Sequence, residues 1–206
     1  MTIRQTQGEA GRDAILGSIR SGRGLARAIP SYPLPLSNED PVERFAAKAT
    51  ACVARIHFIA SRGDAPEAIL AILSTANARL NLHLPAQSPL NELPWQRAPG
   101  LTIAREPPSG EDAAFSAADY GVAETGTLVF LSGARSLSSW HYRPGREIVL
   151  LERRLILPRL EDVFARVASM PATLNLVTGP SRTADIEQTI ELGAHGPRAL
   201  DILLAE

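Results

Sequence analysis

Glu124, Thr125, Gly126 and Thr127 interrupt an otherwise apolar run, YGVAETGTLVFLSG, at residues 120–133. If 122–131 is one strand, Glu124 shares a face with Val122, Leu128 and Phe130. Its carboxylate must then be paired, hydrogen-bonded or neutral, because burying an unpaired charge is costly. Gly126 would mark a bulge or a close backbone approach, and the two threonine hydroxyls would bond a ligand or the backbone. If the run is instead two elements joined by a turn at Thr125–Gly126, Glu124 lies in solvent. The residues alone leave site and turn level.

Two further stretches carry residue types suited to chemistry. In LVTGPSRTADIE, 176–187, a strand runs into Gly179, and Pro180 stands where the first turn of a helix tolerates it. A helix starting there offers unpaired N–H donors and the positive end of its dipole to an anion. Ser181 and Thr183 add hydroxyls, and Arg182 adds a bidentate fork for carboxylate or phosphate. Asp185 and Glu187 complement the same dipole, so plain capping is the competing reading. In GAHGPRAL, 193–200, His195 lies between glycines just past the expected helix. It reads either as an acid–base group or ligand, or as a C-cap. His57, His83 and His141 show no metal-ligand spacing. There is no nucleophile elbow, no phosphate-binding P-loop and no GxGxxG.

The elements that must hold these residues alternate. The sequence predicts an amphipathic helix within 9–29, then a proline-rich connector, PSYPLPLSNEDP, so residues 1–36 are expected as an arm and 37–206 as the main domain. Helices are expected in EDPVERFAAKATACV, DAPEAILAILSTANAR, PSGEDAAFSAA, LPRLEDVFARVA and PSRTADIEQTIELG, from apolar residues at helical spacing or a turn ahead of them. ARIHFIA, LNLHLP, LTIAR, REIVLLE, TLNLVTG and ALDILLA read as strands. This alternation implies an α/β fold with a mainly parallel sheet flanked by helices. The strands around 121–152, with no helix between them, suggest an inserted antiparallel hairpin.

Composition narrows the classes. With 206 residues, 45% of them apolar, and a net charge of −1, the chain has no global attraction for nucleic acid or an anionic membrane. Its single cysteine, Cys52, sits among Ala51, Val53 and Ala54 and reads as a buried, inert thiol. One cysteine cannot supply the four thiolates of an iron–sulfur cluster. No apolar stretch is long enough to span a bilayer and the N-terminus lacks a signal-peptide core, so a cytoplasmic location is expected.

Three segments in order, ADYGVAETGTLVF (118–130), TGPSRTADIE (178–187) and GAHGPRAL (193–200), resemble the LUD-domain family of lactate utilization protein C and YkgG-type proteins. The resemblance implies a fold like that of the sugar-phosphate isomerase and CoA-transferase superfamily. It also implies a role in oxidising L-lactate to pyruvate beside iron–sulfur partner subunits. This chain would bring no cofactor and no metal of its own, and purified protein is expected to be colourless. On this resemblance Glu124 and His195 are the candidate catalytic pair. Thr125, Gly126, Thr127, Gly179, Ser181, Arg182, Thr183, Asp185 and Arg198 are the candidate ligand-binding set, for a small carboxylate or phosphate. Glu124, Thr125, Ser181, Arg182, Thr183 and His195 are expected to converge on one pocket.

One departure stands out. Family members often carry Leu-Leu-Pro-x-x-His-Ile where this chain has HYRPGREI, 141–148, so Glu147 stands in place of histidine. Besides a non-cluster subunit binding a small carboxylate or a partner, two other functions fit the sequence. One is a stand-alone CoA-transferase- or isomerase-like enzyme with Glu124 as covalent nucleophile. The other is a non-catalytic assembly or regulatory module.

Overall fold

A computed structural model of the chain describes residues 3–21, 38–86, 88–133, 139–184, 190–192 and 196–206. The chain divides into two compact units, 1–36 and 37–206. The first contains helix α1, Ile3–Ser21, which begins before the 9–29 expected; residues 22–29 lie outside the described residues. The proline-rich connector up to residue 37 lies outside the described residues.

The second unit opens with α2, Pro41–Ala51. Its start is chemically specified: the Asp40 carboxylate accepts the N–H groups of Val42 and Glu43, at 2.7 and 3.1 Å, and Pro41 needs no N–H there. Strand β1, Arg55–Ile59, follows, then α3, Ala65–Thr75, β2, Asn81–His83, and β3, Thr102–Ala104. Next come β4, Ala113–Ala117, β5, Tyr120–Val122, and β6, Thr127–Leu131, then the short α4, Ser139–Tyr142, and β7, Arg146–Glu152. The chain continues through β8, Ile156–Leu157, α5, Leu160–Arg166, β9, Leu174–Val177, β10, Arg182–Ala184, β11, Ile190–Leu192, and β12, Ala199–Ala205.

Six strands form an all-parallel sheet in the order β1-β12-β7-β4-β2-β3. Alternate residues of β7 serve opposite faces. Ile148 and Leu150 pack with Ile69, Ile72 and Leu73 of α3, whereas Val149 and Leu151 pack with Phe45 and Ala49 of α2. A second sheet, β8-β5-β6-β9, is mixed. It packs Val122, Val129 and Leu157 against Val163 of α5.

Three expectations change. PSGEDAAFSAA forms no helix: its alanines make β4, between β7 and β2, with Ala113, Ala114 and Phe115 buried. A central strand of a parallel sheet is enclosed on both faces, and that enclosure overrides the helix preference of alanine. The antiparallel hairpin is β5–β6, within 120–131, while β7 joins the parallel sheet instead of pairing back on it. Cys52 is half-buried at the end of α2.

The amino ends of β1, β7 and β12 are tied by the buried Asp201. Its carboxylate receives Arg55 at 2.8 and 2.7 Å and Arg146 at 2.6 Å, and lies 2.9 Å from His57 Nε2. Burial alone would raise the Asp201 pKa. The hydrogen bonds with His57 and Arg55, and the charges of Arg55 and Arg146, outweigh burial and hold it below the ordinary carboxylate value. A lowered folded pKa means stability that is present above the unfolded pKa and is lost as pH falls through the folded one. Asp201→Asn is therefore expected to lower the urea midpoint at neutral pH. The gap to wild type should close progressively below about pH 4.

Candidate functional site

The polar break in the 120–133 run is the tip of the β5–β6 hairpin. The Gly126 N–H donates to the Val122 carbonyl at 2.9 Å and closes the turn. Glu124 is half-buried and Oε1 accepts the N–H of Leu160, the first residue of α5, at 3.0 Å. Its carboxylate thus caps a short helix 36 residues away in sequence.

The ETGT and TGPS motifs do meet. A hydroxyl chain runs from Thr125 Oγ1 to Thr127 Oγ1 to Thr178 Oγ1, with 2.7 Å at each step. Both motif glycines seat the end of α2. Gly126, at φ 69°, leaves no room for a Cβ, which would lie 2.3 Å from the Ala49 nitrogen. Gly179, at φ 76°, would place one 2.1 Å from the Cys52 carbonyl oxygen. Only glycine combines this left-handed conformation with such close backbone contact.

The helix expected over 180–192 does not form. Residues 182–184 and 190–192 are extended and pair antiparallel as β10 and β11, with Thr183 opposite Glu191. β-branched Thr183 and Ile190 suit a strand. The Ser181 N–H is already donated to the Pro197 carbonyl, at 2.8 Å, so no helix start presents it to an anion. Arg182 is exposed. Asp185 and His195 lie outside the described residues. Arg198 stands just before β12, where Nη2 donates to Gly110 O at 3.2 Å and to Glu111 Oε1 at 2.7 Å. The described residues contain no group of three or more His, Cys, Asp or Glu placed to hold a metal ion.

The sheet order points to another place. β2 and β4 are neighbours, yet the chain leaves their carboxyl ends in opposite directions, from β2 outward to β3 and from β4 inward to β7. Such a switch point opens the crevice where open α/β sheets take ligands. A cavity of about 470 Å³ lies there. Its walls are Pro85, Ser88 and Pro89 beyond β2, residues 114–119 of β4 and its exit, residues 131–133 beyond β6, and Trp140 and His141 of α4.

Behind the cavity wall is a buried His–Glu–Ser group. His141 Nδ1 is 2.6 Å from Glu147 Oε1, and Ser116 Oγ donates to the same oxygen at 2.9 Å. The His141 ring stacks on Phe130, with centroids 3.9 Å apart. Glu147 is fully buried, and among the described residues its Oε2 has no hydrogen-bond partner. Two donors converging on one oxygen suit a carboxylate, which accepts and cannot donate. A carboxylate on Nδ1 fixes the ring, the arrangement of an oriented acid–base histidine.

Sequence reasoning passed over His141 because it has no metal-ligand spacing. The signal was in its partner. Alternation along REIVLLE puts Glu147 on the same face as Val149 and Leu151, both buried, and a charge on that face demands a donor.

Residues 104–205 match the LUD domain family. Lactate utilization protein C of Halalkalibacterium halodurans is 33% identical over 110 residues, covering 50% of this chain and 47% of that protein. The Escherichia coli protein YkgG is 28% identical over 169 residues, covering 78% of this chain and 71% of its own length. Lactate utilization protein C of Bacillus pumilus is 32% identical over 104 residues, covering 43% of that protein. The match thus spans less than half of both lactate utilization proteins. A solved DUF162 family protein from Deinococcus radiodurans superposes with a TM-score of 0.63 at 23% identity, covering 84% of this chain and all of that one.

Proposed function

Because this chain belongs to the LUD-domain family through residues 104–205, we propose that it serves lactate utilization as a cluster-free subunit whose switch-point cavity binds a small 2-hydroxy or 2-keto carboxylate. The names of the matched relatives support the pathway. The observation that carries the site is the His141–Glu147–Ser116 group beside a cavity at the sheet's switch point.

Oxidation of a 2-hydroxy acid to a 2-keto acid releases two protons and two electrons. In this reading His141 takes the hydroxyl proton, and Glu147 stabilises the imidazolium that results. Ser116 holds the carboxylate in place. The C–H bond also breaks, and its proton and electron pair would pass to an acceptor outside this chain, the redox chemistry that iron–sulfur centres of partner subunits would supply. This chain's own part is to bind the acid, exclude water from it and move one proton.

Trp140 lines the cavity, so its fluorescence reports occupancy. Titration with pyruvate or L-lactate is expected to give a saturable change in wild type. The change should be absent from Trp140→Phe, while calorimetry on that variant still shows binding. No heat and no fluorescence change with either acid, in the protein alone and with its partner subunits, would overturn the assignment.

A further inference from the structure

The amino end of the parallel sheet carries a cavity of about 410 Å³ that the proposed reaction does not use. Three arginines from three separate connections line it: Arg79 after α3, Arg146 at the start of β7 and Arg198 before β12. Arg198 is fixed at the rim by Gly110 and Glu111. Arg146 is largely buried and commits Nη1 to Asp201. It also lines the neighbouring cavity of about 430 Å³, which contains Arg55, His57 and Asp201. Arg79 is exposed, and no hydrogen bond or ion pair holds it among the described residues.

The charges do not balance. Arg55, Arg79, Arg146 and Arg198 share the two cavities with Asp201 and Glu111, and Arg79 also feels the charge of Asp112, so four cations meet three carboxylates and one positive charge is left over. Asp112 makes its hydrogen bonds to the Ser109 N–H and hydroxyl, at 2.8 and 2.6 Å, and forms no direct ion pair with an arginine of this group among the described residues. Like charges gathered around a concave surface raise the local potential and attract counter-ions. The floor is kept open by Gly145. A Cβ there would lie 2.1 Å from the Gly110 oxygen and 3.3 Å from Arg198 Nη2, so any side chain would displace the loop that holds Arg198.

We propose that the cavity between Arg79, Arg146 and Arg198 is an oxyanion site for phosphate or a phosphate ester. A guanidinium presents its N–H groups as a planar fork that matches two oxygens of a phosphate; Arg79 offers a whole fork, Arg146 and Arg198 add the N–H groups not given to Asp201, Gly110 and Glu111, and donors from three directions suit a tetrahedral dianion better than a planar carboxylate. The site is at the opposite ends of the strands from the His141 cavity. It supplies binding, with no bond made or broken.

The test is calorimetric titration of the full chain with inorganic phosphate, and separately with glycerol phosphate, against chloride at matched ionic strength. Wild type is expected to bind phosphate saturably and to unfold at higher temperature in its presence. Arg79→Gln and Arg198→Gln are each expected to weaken binding at least tenfold. The urea midpoint of Arg79→Gln without phosphate should be that of wild type, since Arg79 bonds to nothing described. Tighter binding of the ester than of phosphate assigns an ester ligand, and the reverse assigns free phosphate; either result supports the site. Phosphate no more effective than chloride, or Arg79→Gln and Arg198→Gln titrating as wild type does, would overturn the proposal. Arg79→Gln should leave pyruvate binding at the His141 cavity unchanged, so failure at one site is distinguishable from failure at the other.

Discussion

Gly126→Ala is expected to destabilise the 37–206 unit by about 2–5 kcal/mol, a large share of the roughly 5–15 kcal/mol stability of an ordinary domain. Two effects combine. The left-handed conformation at φ 69° costs an L-residue about 1–2 kcal/mol. The added methyl group would lie 2.3 Å from the Ala49 nitrogen and 2.6 Å from the Lys48 carbonyl carbon, so α2 must retreat from the hairpin at an overpacking cost of about 1–3 kcal/mol. Those contacts are backbone, and no rotamer change relieves them. Gly100 provides the control. It also has positive φ, 90°, but nothing lies within 4 Å of its missing Cβ. Gly100→Ala should therefore cost only the conformational part, about 1–2 kcal/mol. Urea unfolding of the two variants measures the difference directly. Equal midpoints would refute the close seating of α2 on the hairpin tip.

On the proposed lactate-utilization reading, His141→Gln is expected to lower turnover of the assembled system by about 10²–10⁴, the range typical of losing a positioned acid–base group. Glutamine keeps a donor toward Glu147 and roughly fills the space, so the fold should persist and pyruvate should still bind within a few-fold of wild type. Glu147→Gln addresses the positioning role. It keeps the shape but removes the charge that stabilises an imidazolium, so kcat should fall while KM stays nearly unchanged. A purely structural Glu147 would change stability and leave kcat of the folded protein in place. Turnover of His141→Gln equal to wild type would remove His141 from the reaction.

What the sequence made legible follows from how local each signal is. Asp40 and Pro41 announce α2 because capping involves residues two and three positions away. REIVLLE and ALDILLA announce β7 and β12 because unbroken apolar runs are the mark of strands enclosed on both faces. β4 was hidden: AAFSAA reads as helix from its alanines, and only its neighbours β7 and β2 make it a strand. The 180–192 segment deceived in the same way. Gly179, Pro180 and Asp185 look like a helix start, yet Ser181 is bonded to Pro197 and Thr183 stands in a strand. At the site, Glu124 was visible as an anomaly, but its partner is a backbone N–H 36 residues away. Glu147 was visible as a departure from the family pattern, whereas the donor it requires, His141, depends on how α4 returns over β4.

The place of β12 in the sheet has a consequence for biosynthesis. Residues 199–205 sit between β1 and β7, and the β1–β12 ladder joins positions about 146 apart in sequence. Until β12 leaves the ribosome, two apolar strand edges have no neighbour, and a half-made sheet offers them to other chains. Parallel pairing across such distances is also slow to form. Between completion of β7 and emergence of β12, the half-made sheet is therefore open to association with other chains. Lesions in the 199–205 stretch should accordingly lower the yield of soluble protein more than equally conservative changes at the edge strand β3.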